Sequence, residues 1–124
     1  MSKPKRILFL TPQLPFPPEQ GTAIRNYHLI AETAARYDVS LLSFVGEQER
    51  AEVEAMDAIC SRVVTVPAPR RSMLHRLAGL VTSRDPDMAH RLASMAFSRT
   101  LWAMLAGEDY DIVQVEGRFG RAHV

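Results

Sequence analysis

The chain alternates between short runs that are apolar at nearly every position and longer stretches in which apolar residues recur every three or four. The first run, Ile7-Leu8-Phe9-Leu10, predicts a strand over residues 6–11. It has no polar alternation, as expected of a strand covered on both faces in a parallel sheet. A loop carrying Pro12, Pro15, Pro17 and Pro18 follows and ends at Gly21. Each proline fixes its own φ and donates nothing to a ladder, so the loop is stiff. Residues 22–37 read as a helix, with Ile24, Tyr27, Ala31 and Ala34 expected against a sheet. Glu32 and Arg36 then form an i,i+4 pair on the far side.

The same alternation repeats downstream. VSLLSFV predicts a second strand over residues 39–45, and residues 47–60 a second helix with Val53, Met56, Ile59 and Cys60 inward. Glu47 and Glu49 sit at its start, where the helix dipole favours acids. VVTV, residues 63–66, is a third strand ended by Pro67 and Pro69. From Ser72 the pattern is helical through Met73, Leu74, Leu77, Leu80 and Val81, until Asp85-Pro86 breaks it. A helix over residues 87–106 places Met88, Leu92, Met95, Trp102 and Leu105 on one face, with Gly107 as its C-terminal cap. DIVQV, residues 111–115, is the fourth strand and leads into Glu116-Gly117.

Four apolar strands separated by helices predict an α/β fold. The expected form is a Rossmann-like parallel sheet with right-handed crossovers and helices on both faces. At 124 residues this is one domain, small for a doubly wound sheet. Residues 118–124 lead to no further element, so the chain reads as the front part of a longer polypeptide.

Composition narrows the function classes. The net charge of +1 names no partner. The distribution is uneven: Arg70, Arg71, Arg76, Arg84, Arg91 and Arg99 face only Asp85 and Asp87 over residues 67–106. With Met73, Leu74 and Trp102 these arginines make a basic face suited to peripheral contact with anionic lipid. They lack the interleaved aromatics that stack bases, so no nucleic-acid partner is expected. The single cysteine, Cys60, excludes an internal disulfide and reads as a buried thiol. No apolar run is long enough to span a bilayer or form a signal-peptide core, which fits a cytoplasmic start.

Several chemistries are missing. The first strand–helix turn lacks the spaced glycines of a dinucleotide site, and the phosphate-cradling Gly-Lys-Ser/Thr loop is absent. His28, His75, His90 and His123 are scattered without metal-ligand spacing, and no Gly-X-Ser-X-Gly elbow occurs. Neither a cofactor nor a metal is called for. What remains is Gly21, the first turn of a helix with free N–H groups, Arg25 one turn in, and Glu116-Gly117 at the end of the last strand. A helix N-terminus with an arginine beside it suits a phosphate or carboxylate.

Two stretches carry a resemblance. ILFLTPQLPFPPEQGTAIRNYHLIAETAARYDVSLLSFV and YDIVQVEG resemble the N-terminal domain of family 4 glycosyltransferases of the GT-B fold, most closely those of exopolysaccharide biosynthesis. The resemblance implies an incomplete, acceptor-side half of a two-domain enzyme. That enzyme transfers a sugar from a nucleotide-sugar donor to a glycan or lipid-linked acceptor. It implies that Gly21, Thr22 and Arg25 face the donor's diphosphate and that Glu116 and Gly117 lie on the acceptor side. The family's turn often has two adjacent glycines where this chain has Gln20-Gly21, and many members have a histidine where this chain has Gln114 and Glu116. Glu108 and Glu116 match the spacing of the family's donor-site glutamates, but that motif belongs to the C-terminal domain, so the match is coincidental. With the donor domain absent, residues 1–124 are expected to be inactive alone. The alternative is a non-enzymatic binding or regulatory module of flavodoxin-like type.

Overall fold

A computed structural model describes residues 5–19, 21–46, 48–68 and 87–116, with residues 87–90 described by their backbone alone. The elements run β1 (Arg6–Thr11), α1 (Gly21–Ala34), β2 (Asp38–Val45), α2 (Arg50–Asp57), β3 (Arg62–Pro67), α3 (Asp87–Gly107) and β4 (Ile112–Val115). The predicted helix from Ser72 lies outside the described residues, as do Arg70, Arg71, Arg76 and Arg84.

The strands form one parallel sheet in the order β3-β2-β1-β4. β1 is central: Ile7 pairs with Val39 on one side and Ile112 on the other. Its side chains serve two cores. Ile7 and Phe9 join Val39, Leu41, Ile30 of α1 and Met56 of α2 in one cluster. Leu8 and Leu10 join Leu42, Val66 and Phe97, Leu101 and Met104 of α3 in the other. The sheet therefore has α1 and α2 on one face and α3 on the opposite face, the expected Rossmann-like α/β layering. β4 is different, because all of its residues are exposed.

The stiff loop after β1 is anchored by packing. Leu14 and Pro15 are buried, and the ring of Phe16 meets that of Tyr27 at 5.8 Å. The β2–α2 loop is held differently. Gly46 N–H donates to Glu49 Oε1 at 2.6 Å, and a Cβ at Gly46 would lie 2.7 Å from that oxygen. A side chain at Gly46 would displace the Glu49 carboxylate from this bond, and the nearby Gln48 takes a left-handed φ of 61°.

Helix faces differ from the periodicity. In α1 the buried residues are Ala23, Asn26 and Ile30, while Ile24 is 40% exposed. Tyr27 and Ala34 are half-buried at the margin, so the helix is turned by about one residue from the expected stripe. The helix stops at Ala34, short of Arg36, and Glu32 and Arg36 form no ion pair. In α3 the buried set is Ala93, Phe97, Leu101 and Met104, whereas Leu92, Met95 and Trp102 face outward. This helix is apolar around most of its circumference, so spacing alone does not select a face. Phe97 decides it by stacking on Phe44 of β2 at 4.6 Å between ring centroids. Gly107 is not a left-handed cap; it ends the helix itself, and Glu108 N–H still donates to Met104 O.

The rotated face of α1 has a direct test. Ile30→Ala, at a fully buried site, should cost about 2–5 kcal/mol by lost burial and cavity formation. Ile24→Ala should cost less than about 1 kcal/mol. Denaturant unfolding of both variants separates the two stripes, and equal losses would contradict the observed face.

Candidate functional site at the carboxyl edge of the sheet

The chain lays down β1, β2 and β3 in one direction and then returns to place β4 on the other side of β1. The strand order reverses between β1 and β4. In open α/β sheets that reversal opens a crevice at the carboxyl ends of the strands. Here that edge is formed by Thr11 of β1 and by Glu116, which follows β4 and donates its N–H to Leu10 O at 2.9 Å.

Strand parity determines what faces α1 at this edge. Ile7, Phe9 and Thr11 share one face of β1, and Thr11 pairs with Ser43. Phe9 pairs with Gln114, so Gln114 and Glu116 point to the same side. Ser43, Thr11 and Glu116 thus make a polar row across three strands, above an otherwise apolar face. All three are buried. Ser43 Oγ donates to Phe44 O, but Thr11 Oγ1 has no hydrogen-bond partner among the described residues.

Glu116 is the charged centre of the row. Its side chain is 6% exposed. Gln114 Nε2 donates to its Oε1 at 2.8 Å, and Arg25 Nη2 approaches its Oε2 at 3.4 Å. The Arg25 contact is an ion pair without an aligned hydrogen bond, and the guanidinium is 70% exposed. In such a setting the pair itself contributes about 0–1 kcal/mol. Its interest lies in geometry: it places the first turns of α1 over the ends of β1 and β4, with most of the guanidinium open to solvent. Asn26, on the sheet side of those turns, is buried, and its Oδ1 also has no hydrogen-bond partner among the described residues.

Of the residues singled out from sequence, Gly21 and Thr22 open α1 and are exposed, and Arg25 and Glu116 meet. Gly117 lies outside the described residues. A Cβ on Gly21 would touch nothing within 4 Å, so its glycine is not imposed by neighbouring protein atoms. Thr11 and Asn26 were not anticipated. The available signals were a threonine closing an apolar strand and a polar residue on the inward side of a helix. Glu108 and Glu116 lie at opposite ends of β4, and Glu108 pairs instead with Arg62 at 3.1 Å. Among the described residues no cluster of His, Cys, Asp or Glu is arranged to hold a metal ion. No helix among them is long and apolar enough to cross a membrane.

Away from this edge, Cys60 is a free, buried thiol. Burial, with Asp57 adding to it, pushes its pKa from an ordinary 9.0 up to about 12. Burial likewise pushes the Tyr110 phenol upward.

This arrangement is a Rossmann-like α/β sheet with a buried polar row at its topological switch point. No family model, no curated protein and no solved structure matches the chain.

Two measurements follow from these groups. Thr11→Val keeps the volume of the side chain and removes an unsatisfied hydroxyl, so it should stabilise the fold by about 1 kcal/mol. A lower unfolding midpoint would show that the hydroxyl has a partner. For Cys60, the unfolded chain loses its thiol proton near pH 9.0 while the folded chain keeps it to about 12. The unfolded state therefore binds fewer protons in that window, and stability falls as pH rises through it. Cys60→Ala should flatten this slope in pH-dependent unfolding, and an unchanged slope would contradict the assignment.

Proposed function

We propose that the chain is the N-terminal, acceptor-side part of a glycosyltransferase that moves a sugar from a nucleotide-sugar donor to a glycan or lipid-linked acceptor. The observation that carries this reading is the Arg25–Glu116 pair at the switch point. A buried carboxylate there accepts hydrogen bonds from sugar hydroxyls. Arg25 keeps most of its guanidinium available to a diphosphate. The first N–H groups of α1 lie beside it, and no acid in the first turn of α1 offsets their charge. Open space at Gly21 lets a donor approach the backbone.

Chemically the site would work by positioning and by stabilising the departing diphosphate. The strand order supports this reading over the flavodoxin-like alternative, in which the first strands run 2-1-3. On this reading the donor is held mainly by a second domain, and residues 1–124 alone bind it weakly.

The test is calorimetric titration with nucleoside-diphosphate sugars, together with a transfer assay, on residues 1–124 and on a longer polypeptide carrying a C-terminal domain. Turnover is expected only in the longer form. There Arg25→Ala should weaken donor binding about tenfold or more through loss of a charged hydrogen bond. Gly21→Ala should weaken donor binding while leaving the unfolding midpoint unchanged or higher, because the new methyl group meets only open space. Sustained turnover by residues 1–124 that is insensitive to Arg25→Ala would overturn the proposal.

A further inference from the structure

α3 has two apolar faces, and the sheet covers only one. Phe97, Leu101 and Met104 are buried against the strands, and Ala93 is buried one turn before Phe97. On the other side Leu92 is 44%, Met95 58% and Trp102 64% exposed. Leu92, Met95, Arg99 and Trp102 follow one another at steps of three and four, so they form a single line along the helix. Arg91 stands beside its start, and both arginines are exposed. From Arg91 to Trp102 the line is about 16 Å long. A helix that is apolar all round is normally covered all round.

Charge selects the occupant. After Asp87, α3 contains no acidic residue, and neither Arg91 nor Arg99 forms an ion pair among the described residues. A second copy docked through the same line would bury the arginines of both chains with no carboxylate within the line to pair with them. A bilayer carrying negative phospholipid meets every feature. Leu92 and Met95 enter the acyl boundary, Trp102 sits at headgroup level, and the arginines reach phosphates.

We propose that this outward face of α3 docks on an anionic phospholipid surface, with its axis in the plane of the interface. The proposal rests on α3 alone and does not depend on the transferase reading.

The chain carries one tryptophan, Trp102, so its emission reports this face directly. The experiment is titration of the intact chain with phosphatidylcholine vesicles, with and without phosphatidylglycerol, followed by Trp102 emission and co-sedimentation. A blue shift and co-sedimentation are expected only with phosphatidylglycerol, both weakened by added salt. Arg91→Glu with Arg99→Glu should lower the partition coefficient by about thirtyfold or more, since each cation near the surface contributes substantially. The matched reversal Arg36→Glu with Arg50→Glu, away from α3, should leave partition nearly unchanged. Circular dichroism of both doubles controls for folding. Equal binding to neutral and anionic vesicles, no binding, or equal losses in the two doubles would overturn the proposal. So would a blue shift that grows with protein concentration in the absence of lipid, which would assign the face to self-association.

Discussion

The structure depends on β1 having no solvent-facing side. Ile7 and Phe9 point one way, Leu8 and Leu10 the other, and all four are buried. Leaving either face bare would expose a contiguous apolar strip, so helices are needed above and below. That requirement explains the division of labour between α1 and α2 on one face and α3 on the other. It also places β1 in the middle of the sheet, because only a strand with neighbours on both edges satisfies all its backbone groups by pairing. The return of the chain to the far edge of β1 then creates the switch point.

At the end of this apolar strand the chemistry changes abruptly. Thr11, Ser43 and Glu116 are as buried as the leucines before them, yet they carry polar atoms. Removing a carboxylate from water costs several kcal/mol unless it is compensated. Gln114 supplies one hydrogen bond to Glu116, and Arg25 supplies charge at a longer distance. The oxygens of Thr11 and Asn26, without partners among the described residues, carry a cost that valine and leucine would have avoided, as do Asp38 Oδ1, Glu52 Oε2 and the Tyr110 hydroxyl elsewhere.

The strands were legible in the sequence because buried parallel strands are written as unbroken apolar runs. Each of the four was located to within about a residue, and each helix among the described residues was recognised as a helix. Faces were less legible. Ile24 and Ile30 both fit an amphipathic α1, and only packing against Phe9 and Leu41 shows which one is inside. α3 misled further, since Trp102 is the largest apolar side chain in it yet lies outside, while Ala93 lies inside. The meeting of Arg25 with Glu116 was not readable from spacing, because the two residues lie on different elements brought together by the β1–β4 pairing. Thr11 and Asn26 escaped for a simpler reason: a single polar residue within an apolar pattern looks like noise until its partners are known to be missing.

The clasp that joins β4 to β1 links residues far apart in the chain. Arg6 N–H donates to Asp111 Oδ2 across a separation of 105 residues, and Asp111 N–H donates back to Arg6 O. The β1–α1–β2–α2–β3 unit can assemble from connections that are short by comparison. One edge of β1 must then wait, because closing so long a loop carries an entropic cost before any contact offsets it. During ribosomal synthesis that edge stays unpaired until more than a hundred later residues have emerged. β1 is thus among the first strands made, and its pairing is among the last to be completed.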